Sequence, residues 1–179
     1  MNVCVFCGSS SGADPQYFSA AVSLGALLAE SNSTLIYGGA KVGLMGALAD
    51  EVLSHGGEVI GVIPDFLMKK EVSHSGLTRL EIVHTMHDRK RKMAEMADAF
   101  IALPGGWGTL DELAEILTWK QLGLIDQPVG ILNTNSFFDS LIAQMEKVVN
   151  EGFLNTKDFS EIIIFEQPRQ LLTTLGITQ

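Results

Sequence analysis

Short apolar runs alternate with longer stretches of mixed polarity along most of the chain. The apolar runs are four to six residues long and are bounded by turn residues, a pattern typical of strands buried on both faces. They predict seven strands, at residues 2–7, 34–37, 58–63, 80–85, 99–103, 129–132 and 162–165.

The stretches between these runs repeat their apolar residues with helical spacing. They predict helices at about 15–30, from the turn at 39–46 to 55, and at 86–97, 109–121, 136–150 and 168–175. Residues 65–76 are mixed in character and predict a loop with a short helix. This alternation predicts an α/β fold with a parallel sheet and right-handed crossovers. The 179 residues fit a single domain, 1–179.

Three glycine-bearing turns, at residues 8–12, 38–46 and 105–109, follow the first, second and fifth predicted strands. The carboxyl ends of parallel strands meet at one edge of a sheet, and ligands bind beyond that edge. The convergence of the three turns therefore predicts a nucleotide-sized pocket.

The third turn, Gly105-Gly106-Trp107-Gly108-Thr109, joins a buried strand directly to a helix. Free backbone N–H groups and the positive end of the helix dipole make such a turn a phosphate site. A dinucleotide-binding function is weakly supported, because Asp111 occupies the place of the third glycine and the strand is a late one. A tight turn without a ligand stays open as the alternative.

Glu112 has two interpretations. Thr109 to Glu112 matches the spacing of a capping box, in which the glutamate side chain accepts a hydrogen bond from the N-cap amide and has no catalytic role. Alternatively, a carboxylate beside a phosphate site stabilises an oxocarbenium-like transition state or activates the water that attacks it.

Arg89 falls on the apolar face of the predicted helix at 86–97, three residues after Met86 and four before Met93. A buried arginine needs a partner, and Glu112, Glu71 or a bound phosphate are the candidates. A side chain that reaches solvent at the helix edge is the alternative. The three methionines of this helix are interpreted as core.

The composition and charge of the chain disfavour some classes of binding partner. The net charge is −9 with a pI of about 4.8, which disfavours nucleic acid as a partner. A small phosphorylated ligand needs only a local basic cluster, such as residues 89–92. No signal peptide or transmembrane run is recognisable, so we expect a cytoplasmic protein with no membrane partner.

Cysteines and histidines indicate no redox or metal site. Cys4 and Cys7 lie in an apolar strand without a second ligand pair, and are interpreted as buried core residues. The four histidines lack metal spacing, and none pairs with a nucleophilic serine. We therefore expect no metal and no cofactor.

Two signatures resemble those of the Lonely Guy (LOG) family of cytokinin riboside 5'-monophosphate phosphoribohydrolases, formerly described as lysine decarboxylases. They are Met86-His87-Asp88-Arg89-Lys90 and Pro104-Gly105-Gly106-Trp107-Gly108-Thr109-Leu110-Asp111-Glu112. The resemblance spans nearly the whole chain. It implies a Rossmann-like fold, a doubly wound parallel sheet with helices on both faces, in a homodimer that cleaves adenine from ribose 5-phosphate.

Carried over by residue, the resemblance implies that Arg89 and Glu112 are the catalytic pair. It implies that the phosphate is held by Gly106, Trp107, Gly108 and Thr109, and that Glu71, Lys90 and Thr118 complete the binding of substrate. Departures from the family pattern occur at Ala40-Lys41, Trp107 and Asp111. The first puts one wall of the pocket in doubt, and none touches the catalytic pair.

Three functions are therefore distinguished. The first is hydrolysis of adenosine 5'-monophosphate or its N6-modified forms, and the second is a nucleotide carrier of the same fold without turnover. The third, lysine decarboxylation, requires pyridoxal phosphate on a lysine, and no lysine stands at a persuasive site for it.

Overall fold

The computed structural model describes residues 1–68 and 73–178. Its strands are β1 Asn2–Phe6, β2 Thr34–Tyr37, β3 Val59–Pro64, β4 Arg79–Val83, β5 Ala99–Ala102, β6 Val129–Leu132 and β7 Ile162–Phe165. Its helices are α1 Pro15–Glu30, α2 Gly43–Ser54, α3 Met86–Met96, α4 Trp107–Gln121, α5 Asp139–Asn150, α6 Thr156–Ser160 and α7 Pro168–Thr174, with a 3₁₀ turn at Thr134–Ser136.

The seven strands form one parallel sheet in the order β4-β3-β2-β1-β5-β6-β7. Both faces are covered, since α1, α2 and α7 pack on one face and α3, α4 and α5 on the other. Side chains of β1 alternate between the two layers: Val3 and Val5 enter the first, and Cys4 and Phe6 the second. The predicted Rossmann-like fold is confirmed.

The chain changes direction across the sheet at β1. From β1 the chain winds outward through β2 and β3 to β4, then returns through α3 to β5 on the other side of β1. The segments after β1 and β5 therefore diverge and leave a crevice, the position at which ligands bind in such sheets. Gly8 donates its backbone N–H to the Pro104 carbonyl at 3.1 Å, which holds the two segments together.

Some predicted boundaries were wrong. The fourth helix begins at Trp107 and not at Thr109. The fifth begins at Asp139, because Asn135 and Ser136 adopt left-handed backbone with φ of 50° and 57°. The short helix α6 was not predicted; its signal is a single local cap, in which Asn155 accepts from the Asp158 N–H at 2.8 Å.

The interpretation of the cysteines is confirmed, since both are free and buried. Of the loop predicted at 65–76, residues 69–72 lie outside the described residues. Ser73 forms an isolated antiparallel bridge with Ala40. Among the helices that the structure describes, none has the length and apolar character needed to cross a lipid bilayer.

Candidate active site

A cleft of about 170 Å³ opens at the crevice between the ends of β1 and β5. The segment after β1, the end of β2, α2, α3 and the first turns of α4 all contribute to it. It brings together six predicted site residues: Arg89, Gly106, Trp107, Gly108, Thr109 and Glu112.

The N-terminus of α4 opens onto this cleft. Gly106 is the N-cap and has no side chain to accept from the first helical N–H groups. Within residues 1–68 and 73–178, no backbone carbonyl accepts from the N–H groups of Trp107, Gly108 or Thr109. These N–H groups and the helix dipole together favour the binding of an anion at the start of α4.

Two kinds of glycine occur in this turn. A Cβ at Gly105 would collide with the Thr109 side chain and lie 2.9 Å from the Gly8 nitrogen. A Cβ at Gly106 or Gly108 would meet no atom within 4 Å, and neither glycine has positive φ. The fold therefore requires Gly105, whereas Gly106 and Gly108 leave space beside the backbone that a ligand can fill.

The capping-box interpretation of Glu112 is wrong. Because α4 begins at Trp107, Thr109 is its third residue and not its cap, and Glu112 lies a turn further into the helix. Thr109 is buried, with 3% of its surface exposed, beneath the turn. Glu112 is half-buried and lines the cleft.

Arg89 faces inward, as predicted, and is 6% exposed. Its Nε donates to the Val62 carbonyl at 3.0 Å, and its Nη2 donates to the Gly38 carbonyl at 2.9 Å. Val62 lies within β3 and Gly38 follows the neighbouring strand β2, so the two carbonyls orient the guanidinium at the cleft. A Cβ at Gly38 would collide with that guanidinium. The alternative of a side chain extending to solvent is wrong.

Arg89 and Glu112 both affect the pKa values of two buried thiols, Cys4 within β1 and Cys7 directly after it. Burial raises the pKa of Cys7 well above its usual value, the Glu112 carboxylate raises it further, and the Arg89 guanidinium opposes both. The pKa of Cys4 is raised by the same causes. Both thiols therefore stay protonated at neutral pH, and Arg89 and Glu112 both lie near enough to shift their pKa values.

Of the predicted residues that the structure describes, Lys90 and Thr118 do not line this cleft. The Lys90 ammonium lies 3.2 Å from Asp111 Oδ2 and 3.1 Å from Glu115 Oε2. Burial alone would lower the pKa of Lys90, but hydrogen bonds and charge from these carboxylates raise it overall. Thr118 is exposed, and its hydroxyl donates to the Ala114 carbonyl at 2.7 Å. Glu71 lies outside the described residues.

Sequence reasoning missed several residues that line the cleft: Val5, Cys7, Gly8, Ser9, Gly38, Met45, Met86 and Asp111. Gly8 and Gly38 belong to turns already singled out, but no individual role was assigned to them. Met86 was interpreted as core, yet it shares a helix face with Arg89, and that spacing was the available signal. The described residues contain no group of three or more His, Cys, Asp or Glu placed to hold a metal ion.

A family model and proteins of known activity match this chain over most of its length. The family model described as "Possible lysine decarboxylase" matches residues 45–175. The chain is 47% identical over 174 residues to cytokinin riboside 5'-monophosphate phosphoribohydrolase LOG7 of Arabidopsis thaliana, covering 97% of this chain and 80% of that protein. It is 46% identical to LOG2 of the same plant over 173 residues, with coverage of 97% and 81%. The chain belongs to the LOG family.

Solved structures support the fold of this LOG-family chain. The molybdenum cofactor binding protein of Rippkaea orientalis superposes with a TM-score of 0.73 at 21% identity, over 98% of this chain and 94% of that one. The Moco carrier protein of Chlamydomonas reinhardtii gives 0.70 at 20% identity, with the same coverage. At such identity the likeness concerns the fold alone.

Proposed function

We propose that this protein hydrolyses the N-glycosidic bond of adenosine 5'-monophosphate or an N6-modified form of it, releasing free base and ribose 5-phosphate. The observation that carries the proposal is one cleft lined by Arg89, Glu112 and the open N-terminus of α4. Membership of the LOG family supports it, because relatives of 46% and 47% identity are named cytokinin riboside 5'-monophosphate phosphoribohydrolases.

The phosphate binds at the N-terminus of α4. N–H groups of Trp107, Gly108 and Thr109 donate to its oxygens, and the helix dipole stabilises its charge. The space beside Gly106 and Gly108 lets the oxygens approach the backbone closely. Binding here orients the ribose toward the residues further along α4.

Glu112 acts on the ribose. Its carboxylate stabilises the positive charge that develops at C1′, or accepts a proton from the attacking water. The C1′–N9 bond breaks with its electron pair going to the base, which takes up a proton, and the water oxygen bonds to C1′.

Arg89 supplies a fixed positive charge. Because a guanidinium stays protonated, Arg89 acts by charge and hydrogen bonding and not as a proton donor. Its two hydrogen bonds to the Val62 and Gly38 carbonyls hold it in place before substrate arrives, which lowers the cost of organising the site.

The base-release assay tests the proposal directly. The protein is incubated with adenosine 5'-monophosphate and with its N6-isopentenyl form, and free base is followed by chromatography. We expect base and ribose 5-phosphate in equal amounts. Nucleotide binding without release of base from either substrate would contradict the enzyme proposal and favour the carrier.

Glu112→Gln separates a catalytic role from a structural one. We expect it to lower kcat by about 10²- to 10⁴-fold, the usual contribution of general acid–base catalysis, with an unchanged thermal unfolding midpoint. Glu95→Gln is the matched control, because Glu95 is an exposed glutamate on α3 whose described ion pair is with Arg91. Retained activity in Glu112→Gln would exclude the carboxylate from the chemistry.

A homodimer is part of the proposal. Leu122 and Leu124 follow the end of α4 and are each 66% exposed, and Trp107 at its start is 88% exposed. In the proposed dimer a second copy of the chain covers some of these apolar side chains. Light scattering after size exclusion should give about twice the 19.3 kDa chain mass. A monomer at micromolar concentration would contradict this.

The contributions of Glu71 and Thr118 to substrate binding remain predictions of the family resemblance. Thr118 shares a face of α4 with Leu122, so a second copy covering that face would enclose it. Alanine at Thr118 should then raise KM only in protein that remains dimeric.

A further inference from the structure

Residues 73–76, called the 73–76 segment below, lie against the turn that follows β2. Ser73 forms an isolated antiparallel bridge with Ala40. The next residue, His74, donates its backbone N–H to the Gly39 carbonyl at 3.0 Å. The segment therefore contacts two consecutive residues of the turn through the backbone.

The same turn orients Arg89. Gly38 directly precedes the two residues that the 73–76 segment contacts, and its carbonyl accepts from Arg89 Nη2 at 2.9 Å. The turn also packs closely on β3, since a Cβ at Gly61 would lie 2.8 Å from the Gly39 Cα. Contacts with β3 and with the 73–76 segment together fix the turn, and a shift of the turn would move the acceptor of the guanidinium.

The His74 side chain links the 73–76 segment to α2. Its Nε2 lies 2.8 Å from Asp50 Oδ1, and its Nδ1 accepts from the Gly76 N–H at 3.0 Å. Because Nδ1 is an acceptor, the ring proton lies on Nε2 and is donated to the carboxylate. The imidazole is 11% exposed, so both ring nitrogens bond to protein and little of the ring meets water.

We infer that His74 is a positioning residue, which holds the turn after β2 through its bond to Asp50 and so fixes the Gly38 carbonyl that orients Arg89. The inference rests on the proposed function, in which Arg89 supplies a fixed positive charge. A charge of this kind acts best when the groups that hold it are themselves fixed by further contacts. Loss of the bond between His74 and Asp50 should therefore lower turnover. Phosphate binding at the start of α4 should not change, because it uses a different element.

Asp50→Ala tests the inference without removing a buried group, because the Asp50 side chain is 70% exposed. We expect kcat for adenosine 5'-monophosphate to fall by about fivefold, the factor that corresponds to the net stabilisation by one hydrogen bond. The Kd for ribose 5-phosphate should stay within about twofold of wild type. Asp50→Asn keeps an acceptor oxygen and should retain most of the activity. An unchanged kcat in Asp50→Ala, or an equal loss in Asp50→Asn, would overturn the inference.

A double-mutant cycle tests whether the two side chains act through one bond. His74→Ala should lower kcat at least as much as Asp50→Ala, and the double variant should be no worse than His74→Ala, because the second change removes a bond that is already lost. Additive losses would overturn the inference. If His74→Ala does not fold, Asp50→Ala and Asp50→Asn still decide the question.

His55→Ala is the matched control. His55 directly follows α2, is exposed, and lies 3.4 Å from the Glu51 carboxylate. It is therefore another histidine paired with a carboxylate of α2, but the described contacts do not link it to the turn after β2. We expect its kcat to match wild type. A fall like that of His74→Ala would show that the effect is not specific to His74 and would contradict the inference.

Hydrogen exchange at Arg89, measured by NMR, gives a readout that does not need turnover. The buried Arg89 Nε–H donates to the Val62 carbonyl at 3.0 Å, so its proton should exchange slowly in wild type. Exchange should be faster in Asp50→Ala and unchanged in Asp50→Asn. The backbone N–H of Ile36, within β2, is the internal reference and should exchange as in wild type, whereas a general loss of stability would affect both sites.

The exchange rates and the kinetics answer separate questions. A lower kcat in Asp50→Ala without faster exchange at Arg89 would place the effect elsewhere and overturn the inference. If wild type releases no base, the proposed function fails, while the exchange rates still decide whether His74 positions Arg89.

Discussion

Helices α2 and α4 both begin at glycine turns on the same edge of the sheet, but within the described residues they differ in whether backbone carbonyls accept from their first N–H groups. At α2, the Gly8 carbonyl accepts from the N–H groups of Leu44 and Met45 at 3.1 and 3.3 Å. At α4, no carbonyl in the described backbone does so for the first three residues. The first N–H groups of α2 are therefore bonded to protein, whereas those of α4 have no backbone acceptor in the described residues.

Glycine packing shows the same difference. A Cβ at Gly43, which has φ of +59°, would collide with the backbone of Ser9 and Ser10. A Cβ at Gly106 or Gly108 would enter open space. Glycine at α2 is therefore needed by the fold, whereas Gly106 and Gly108 at α4 leave open the space in which we propose that the phosphate binds. Substitutions at the two turns should separate stability from binding.

The largest effect is expected at Gly43. Gly43→Ala combines left-handed backbone with a backbone collision and should lower the free energy of unfolding by about 3 kcal/mol. For a chain of this size the unfolding midpoint would fall by about 6 to 12 °C, measured by calorimetry. Gly56→Ala is the control, because Gly56 has φ of +73° but no atom within 4 Å of an added Cβ. Equal losses in both variants would show that the collision is irrelevant.

Gly105→Ala should be the next most damaging change, because its Cβ would displace the buried Thr109 side chain. We expect a loss of about 2 kcal/mol in chemical denaturation. Gly106→Ala should cost less than about 1 kcal/mol, since only the preference at the helix cap changes. If the two variants were equally stable, the division between closed and open glycines within this turn would be wrong.

Gly108→Ala should weaken binding and leave the fold intact. The added methyl group occupies the space proposed for the phosphate, so KM and the Kd for ribose 5-phosphate should rise by about tenfold. Stability should be unchanged or higher by up to about 1 kcal/mol, because alanine favours a helix over glycine. Calorimetric titration measures the first effect and thermal unfolding the second. Unaltered binding would place the phosphate elsewhere.

The smallest effect concerns the thiol beneath the cleft. Because the pKa of Cys7 is raised in the folded state, the unfolded state loses its thiol proton first, and stability falls as the pH rises past the ordinary thiol value of 9.0. Between pH 8 and pH 10 wild type should lose about 1 kcal/mol more than Cys7→Ala in urea denaturation. An identical pH dependence in both proteins would mean that the thiol ionises as easily when folded.

Much of the architecture followed from local pattern. Seven apolar runs predicted seven strands, since continuous burial on both faces needs no long-range information to be recognised. The helix predictions for residues 134–160 were less accurate. Asn135 and Ser136 adopt left-handed backbone, but no glycine marks these positions in the sequence. Helix α6 has only a single local cap as its signal. In the site, Arg89 was correctly oriented because helical spacing alone decides which face a residue occupies.

Sequence by itself determined the seven strands and their alternation with helices along the chain, the inward face of Arg89 and the three glycine turns, because each depends on residues close together in the chain. Only the tertiary structure decided which turn is open, that Glu112 does not belong to a capping box, and that Lys90 pairs with Asp111 and Glu115. Each of these depends on the space or charge contributed by a distant segment: Ser9 and Ser10 close the turn at Gly43, and nothing in the described chain closes the turn at Gly106. A glycine looks the same in sequence whether protein or ligand fills the space beside it.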